Sequence, residues 1–352
     1  MKKLMTIAAA LLCGTLLAEE LNVASGETVT LTENKTVDGG TVSGTLILES
    51  GVTLTLAKNI FESSATVEMR GATIEGFSQV HDVSLPCKFA IANGTENAML
   101  NIHDAADEWN ANGCNVTMSG TVEGRGTLTL RSTGRGFIID GNWSEFEGTL
   151  NLDMSGNYFS GRINTGNLQK ATVNVVSGQV KYYVWGGTAF GHLNVSDEAE
   201  FNVDRDADTE NILNLYGDSV LGGTFTGSAL DVNVYNGAKV TVDSSIARVN
   251  IDNGALSGNG TIGKLTTWGN PVNISNPQSA VLKIENRADG DTGILMIVGE
   301  AGSRSGNPVL EVTDTSKFNV QLSSALAADG WKLKEESGVY SIYKNGLMIV
   351  IR

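Results

Sequence analysis

The chain has 352 residues, with 39 Asp and Glu against 24 Lys and Arg, a formal net charge of −15, and 42 glycines beside only 4 prolines. So acidic a surface repels phosphate backbones and anionic bilayers, which argues against nucleic acid or an anionic membrane as a partner. Only 18% of residues are charged, which excludes a disordered chain, and the glycine-rich, proline-poor mixture describes short strands joined by tight turns.

Residues 1–18, "MKKLMTIAAALLCGTLLA", read as a secretory signal peptide. Lys2 and Lys3 form the basic region, Leu4–Leu12 the apolar stretch, and Ala18 the small residue at the cleavage site. The apolar stretch falls short of the roughly 20 residues a spanning helix needs. Cys13 invites lipidation, but Leu12 before it is bulky where a lipobox takes Gly, Ala or Ser. No later run reaches membrane-spanning length. The expectation is an exported, bacterial-type chain without a transmembrane segment, secreted or at the cell surface or outer envelope, with the periplasm as the alternative.

Residues 19–120 read as N-terminal β coils. "TLILESGVTLTL" (45–56) and "ATVEMRGATIEGF" (65–77) alternate apolar and polar residues, the strand period. "MLNIHDAADEWNANG" (99–113) begins with Leu100-Asn101-Ile102 and then breaks into a polar stretch, a short helix or an inserted loop. Cys87 and Cys114 bracket this insertion, 87–114. In an oxidising compartment they are expected to pair, stabilising the fold by roughly 3–4 kcal/mol through the closed loop. Two free buried thiols are the alternative. His81, His103 and His192 have no close Cys/His cluster, which argues against structural zinc.

The segment 121–263 carries a repeat. "TLNL" (149–152), "TVNV" (172–175), "HLNV" (192–195), "ILNL" (212–215), "DVNV" (231–234) and "RVNI" (248–251) share one form, and "TLTL" (127–130) is the same unit with Thr for Asn. Counted at the first apolar residue, successive units lie 22, 23, 20, 20, 19 and 17 residues apart. A period near twenty is the mark of a solenoid. Each triplet meets a turn signal, such as "YGDS" (216–219), "YNGA" (235–238) or "DNGA" (252–255), and then a second short strand. This pattern predicts an all-β parallel β-helix of about 20-residue coils. Stacked coil on coil, Asn151, Asn174, Asn194, Asn214, Asn233 and Asn250 are expected to form a side-chain ladder that fixes register. The same strand-turn-strand text suits an antiparallel sandwich; the regular repeat argues against it.

From 264 to 352 the strands lengthen and their spacing becomes irregular: "AVLKIE" (280–285), "GILMIVG" (293–299), "PVLEVTD" (308–314) and "FNVQL" (318–322). The end reads as strands joined at Ser337-Gly338 and Asn345-Gly346. A rod of open coils exposes strand edges that must be covered, so this C-terminal β region is the expected cap.

"GRGTLTLRSTGRGFIIDGNWSEFEGTLNLDMSGN" (124–157) resembles the autotransporter-associated β-strand repeat of bacterial surface proteins. The features that carry the likeness are Gly126-Thr127-Leu128-Thr129-Leu130, a "GNWSEFEG" turn at 141–148, Thr149-Leu150-Asn151-Leu152 and the later "ALSGNGTIGKL" (255–265). The resemblance covers about 120–265 and implies a right-handed β-helix, secreted or surface-displayed, with an adhesive, structural or protective role. Passengers of that kind usually precede a membrane-inserting β-barrel, and no segment here reads as one.

Chemistry is sparse. Asp204, Asp206, Asp208 and Glu210 alternate as carboxylates able to converge on a structural Ca²⁺. An EF-hand fails, with Thr209 and Leu215 where Gly and Glu are needed, and a solvated acidic loop is the plainer reading. Trp143, Tyr158, Tyr183 and Trp185, with Tyr182 and Phe159 nearby, form either core or a glycan-contact strip. There is no G-x-S-x-G elbow, P-loop, H-E-x-x-H or Rossmann glycine pattern. The sequence therefore favours a non-enzymatic surface or envelope protein with a structural or adhesive role, without a cofactor unless structural Ca²⁺, and with an extracellular glycan or envelope component as partner. A carbohydrate-active β-helix enzyme of lyase or hydrolase type, or a Ca²⁺-stabilised glycan-binding module, stands as the alternative.

Overall fold

The computed structural model describes residues 19–76, 83–94, 96–102, 116–132, 136–154, 161–165, 167–182, 188–202, 212–226, 230–276, 280–299 and 306–344. Contacts divide the chain into two units, 1–190 with 198–202, and 191–197 with 203–352. Each is a stack of parallel β coils.

In the first unit three columns of strands run along the stack. One is a six-stranded parallel sheet of Thr28–Leu31, Thr45–Leu48, Thr66–Met69, Lys88–Ile91, Thr121–Gly124 and Asn142–Phe146. The second joins Glu19–Val23, Lys35–Val42, Thr53–Leu56, Thr73–Gly76, Asn97–Ile102, Thr127–Ser132, Thr149–Met154 and Asn167–Tyr182. The third holds Val83–Leu85, Val116–Met118, Phe137–Ile139 and Gly161–Ile163. Threonine, valine, leucine and isoleucine dominate because a pleated, half-buried surface suits them. Every second residue points inward, so like side chains stack at the coil spacing: Leu128 on Leu150 on Val173, each fully buried. Glycine fixes one corner of the coil: at Gly124, with φ of 110°, a Cβ would strike the Ile91 carbonyl oxygen of the coil below.

Several strands depart from period 2, Asn142–Phe146 among them. "GNWSEFEG" is expected as a turn, yet Asn142–Phe146 is a strand of the six-stranded sheet. A β-bulge sets four residues, 142–145, against three, 121–123, on the neighbouring strand, so both Trp143 and Phe146 face inward.

The second unit repeats the scheme. Ile212–Leu215, Asp231–Val234, Ser245–Ile251, Thr261–Thr266, Leu282–Arg287 and Pro308–Val312 pair in parallel. Ser219–Leu221, Lys239–Val242, Ala255–Ser257, Val272–Ile274, Ile294–Ile297 and Asn319–Leu322 form a companion column. Parallel register therefore continues well past residue 264, where the sequence spacing becomes irregular. The stack ends in the expected β cap. Ser324–Ala328 is a short helix, its N-cap Ser323 accepting from the Leu326 N–H. Trp331–Glu336 and Val339–Lys344 then form an antiparallel hairpin that turns at Ser337-Gly338, both at positive φ. The hairpin lies antiparallel on Pro308–Val312 and covers that edge.

The asparagines do form ladders, one in each unit. Asn174 Nδ2 donates to Asn151 Oδ1 at 2.8 Å, and Asn151 Nδ2 to Thr129 Oγ1 at 3.2 Å. Asn250 donates to Asn233 at 2.8 Å and Asn233 to Asn214 at 2.9 Å. The Asn194 Oδ1 accepts the Val220 backbone N–H at 3.2 Å. Asn233 both donates and accepts, so Asn233→Ala is expected to lower stability by about 1–2 kcal/mol, read as a shifted urea midpoint with an unchanged slope.

Candidate functional site

Most of the chemistry expected from sequence lies outside the described residues: Asp204, Asp206, Asp208 and Glu210, the aromatics Tyr158, Tyr183 and Trp185, and Cys114. Cys87 is a free, fully buried thiol, and burial pushes it up to about 12, so it stays protonated. Trp143 is corrected. Far from offering its ring to a sugar, it is fully buried and meets Phe146 edge-on, centroids 5.6 Å apart at 88°. The bulge turned it inward.

The second unit presents an aromatic column instead. Tyr216, Tyr235 and Trp268 stack, with centroids 5.0 Å and then 5.8 Å apart and planes inclined by 21° and 27°. Tyr216 and Tyr235 occupy one position of successive coils, each directly after the apolar–Asn–apolar triplet, and the Tyr235 N–H donates to the Leu215 carbonyl at 2.9 Å. Asp252 takes that position in the next coil. Trp268 comes from the coil after that and reaches back across it. Burial, and then the adjoining Tyr216, push the Tyr235 phenol above its ordinary value, partly offset by the Asn233 side chain, so it is neutral at physiological pH.

Trp268 owes its place to an unusual turn. The Asn270 N–H donates to the Thr267 carbonyl at 3.0 Å, closing four residues whose central pair, Trp268 and Gly269, have φ of 46° and 82°. Two positive φ values are the mark of a type I′ turn, whose central positions favour Asn, Asp and Gly. A tryptophan there is a genuine outlier. Asp291 holds the turn from the next coil. Its carboxylate accepts from the Thr267 backbone N–H, the Thr267 hydroxyl at 2.6 Å, the Gly269 N–H at 3.3 Å and the Thr292 N–H at 2.7 Å. Burial raises the Asp291 carboxyl, but those four hydrogen bonds together outweigh it and hold it below the usual carboxylate range. Trp268 stays 46% exposed and Tyr216 38%.

The column's chemistry is that of an apolar stack with a polar border. Asn270 Nδ2 donates to Asp252 Oδ1 at 2.9 Å, and Asn236 and Asn253 stand exposed at positive φ beside Tyr235 and Asp252. A second feature lies on the six-stranded sheet of the first unit. It is a shallow depression of about 350 Å³ over Ala90 and Ala92, bordered by Glu68, Glu123 and Glu145. Each of those carboxylates is ion-paired, with Arg70, Lys88 and Lys170 respectively. Among the described residues no group of three or more His, Cys, Asp or Glu is arranged to hold a metal, and no helix is long and apolar enough to cross a membrane.

In the sequence Tyr216 and Tyr235 sit inside the turn signals "YGDS" and "YNGA". Their equal offset from Asn214 and Asn233 was the available signal. Comparison with family models, characterised proteins and solved structures finds no match for the chain.

Proposed function

We propose that this chain is an exported bacterial surface or envelope solenoid that acts by adhesion, without turnover. The leader-like residues 1–18 and the resemblance of 124–157 to autotransporter-associated repeats support export and display. The observation that carries adhesion is the aromatic column. Most apolar side chains of the coils are buried, and the polar ones that face outward largely meet partners on neighbouring coils, as in the Asn ladders and the Arg70–Glu49 and Arg131–Asp153 pairs. Among the described residues large exposed apolar side chains are few, and rings among them mark contact surfaces. The partner favoured is an extracellular glycan or another envelope component.

The test is cosedimentation of the purified chain with insoluble polysaccharides and isolated envelopes, with the length of soluble polymers followed in parallel. Retention with unchanged polymer length is the expected result. Shortening of any polymer would replace this reading with that of a carbohydrate-active enzyme.

A further inference from the structure

We infer that Trp268 is the contact residue of a binding site for neutral, pyranose-containing glycans, held ready by Asp291; this rests on the adhesive reading above. Rings stacked along the solenoid cover one another's faces, so the middle of the column offers only ring edges. Trp268 is its end. It gives one face to Tyr235, no other ring among the described residues covers the second, and 46% of the residue is exposed. The flat, C–H-bearing face of a pyranose continues such a stack, while its equatorial hydroxyls need donors and acceptors at the border. Asp252 and Asn270, already joined by a hydrogen bond, supply both at the ring's own turn and in the register position beneath it.

Charge selects among sugars. The column carries exposed Asp218 and Asp252, and the chain as a whole has a net charge of −15. Uronate and sulfated polymers are repelled, and neutral glycans are not.

The geometry also assigns Asp291 a positioning role. An aromatic residue at φ of 46° is unfavourable when unsupported, and Asp291 bonds to the residues on both sides of Trp268. A side chain fixed before binding loses less freedom on association. The backbone conformation that strains Trp268 thus also prepares it.

The experiment is affinity electrophoresis of the full mature chain through gels containing laminarin, galactomannan or polygalacturonate, with thermal midpoints measured alongside. Wild type should be retarded by at least one neutral polymer and not by polygalacturonate. Trp268→Ala should weaken that retardation at least about tenfold with its midpoint little changed, because the ring is exposed. Trp268→Tyr should restore part of it. Asp291→Asn should weaken binding while Trp268 fluorescence becomes more open to iodide quenching, a change that a merely global loss of stability would not give below the midpoint. Unaltered retardation of Trp268→Ala overturns this inference and leaves the adhesive reading in place. Wild type retarded by polygalacturonate alone overturns the neutral class. Wild type retarded by none of the three overturns the site as a glycan site, and cosedimentation with envelopes then decides separately whether adhesion itself stands.

Discussion

Trp143→Ala is expected to destabilise the first unit by about 3–5 kcal/mol, the range for removing a fully buried aromatic side chain. The indole fills the interior between coils and packs edge-on against Phe146, so truncation leaves a cavity and removes an aromatic pair together. Trp143→Phe should cost much less. The Trp143 Nε1–H is buried without a hydrogen-bond partner, and removing it relieves a desolvation penalty of about 1–3 kcal/mol that partly offsets the lost volume. Because coils in a solenoid unfold with their neighbours, amide exchange is the sharper probe. Protection should collapse first in Lys88–Ile91, Thr121–Gly124 and Asn142–Phe146, which pair directly. If Trp143 were a sugar-contact residue, alanine would leave exchange unchanged and alter binding alone; that outcome would sink the core assignment.

The same residue shows where sequence is legible and where it is not. The coils announce themselves because each obeys two rules at once, an alternation of period 2 and a repeat near twenty, and both follow from burying one face of a strand on the coil below. Leu128, Leu150 and Val173 can be aligned by eye because they are aligned in space. The strand at Asn142–Phe146 breaks the alternation with a bulge, so Trp143 and Phe146, three residues apart, look like parts of a turn. Past residue 264 the asparagine marker leaves the ladder column, where Thr266 follows Asn250, yet Leu282 and Ile284 sit on Leu310 and Val312. Inward apolar pairs keep the register there, with the Lys283–Glu311 ion pair between them on the outer face. The ladder is an additional tie.

The aromatic column escaped sequence reading for another reason. Tyr216 and Tyr235 follow the repeat, but Trp268 joins them only by passing over a coil and adopting a backbone conformation that no aromatic residue prefers. What makes that conformation hold is Asp291, more than twenty residues further on in another coil. Neither spacing nor propensity encodes a contact of that kind; it depends on tertiary placement. Local rules fail most informatively at such sites.

Asp291 also carries the largest effect expected in the second unit. Asp291→Ala leaves the buried Thr267 hydroxyl and the N–H groups of Thr267, Gly269 and Thr292 without their shared acceptor. Hydrogen bonds to a charged group are worth about 1.5–3 kcal/mol each, and several here share one carboxylate, so a loss of about 2–4 kcal/mol is expected. Asp291→Asn keeps the shape and one acceptor oxygen and should lose about half of that. The pH dependence gives an independent check. The folded-state carboxyl lies below its unfolded value of about 3.9, so its stabilisation is fully present above that value and is lost as pH falls through the depressed folded value. The stability gap between wild type and Asp291→Asn, measured by urea denaturation, should therefore be constant from pH 7 down to about 5 and narrow progressively below about 4. Trp268 emission should report the same release, because the turn that presents the ring loses its anchor when Asp291 is protonated. A gap that stays constant into strong acid would mean that the carboxylate's charge contributes nothing to the turn, and that Thr267, Trp268 and Gly269 hold their conformation through backbone pairing alone.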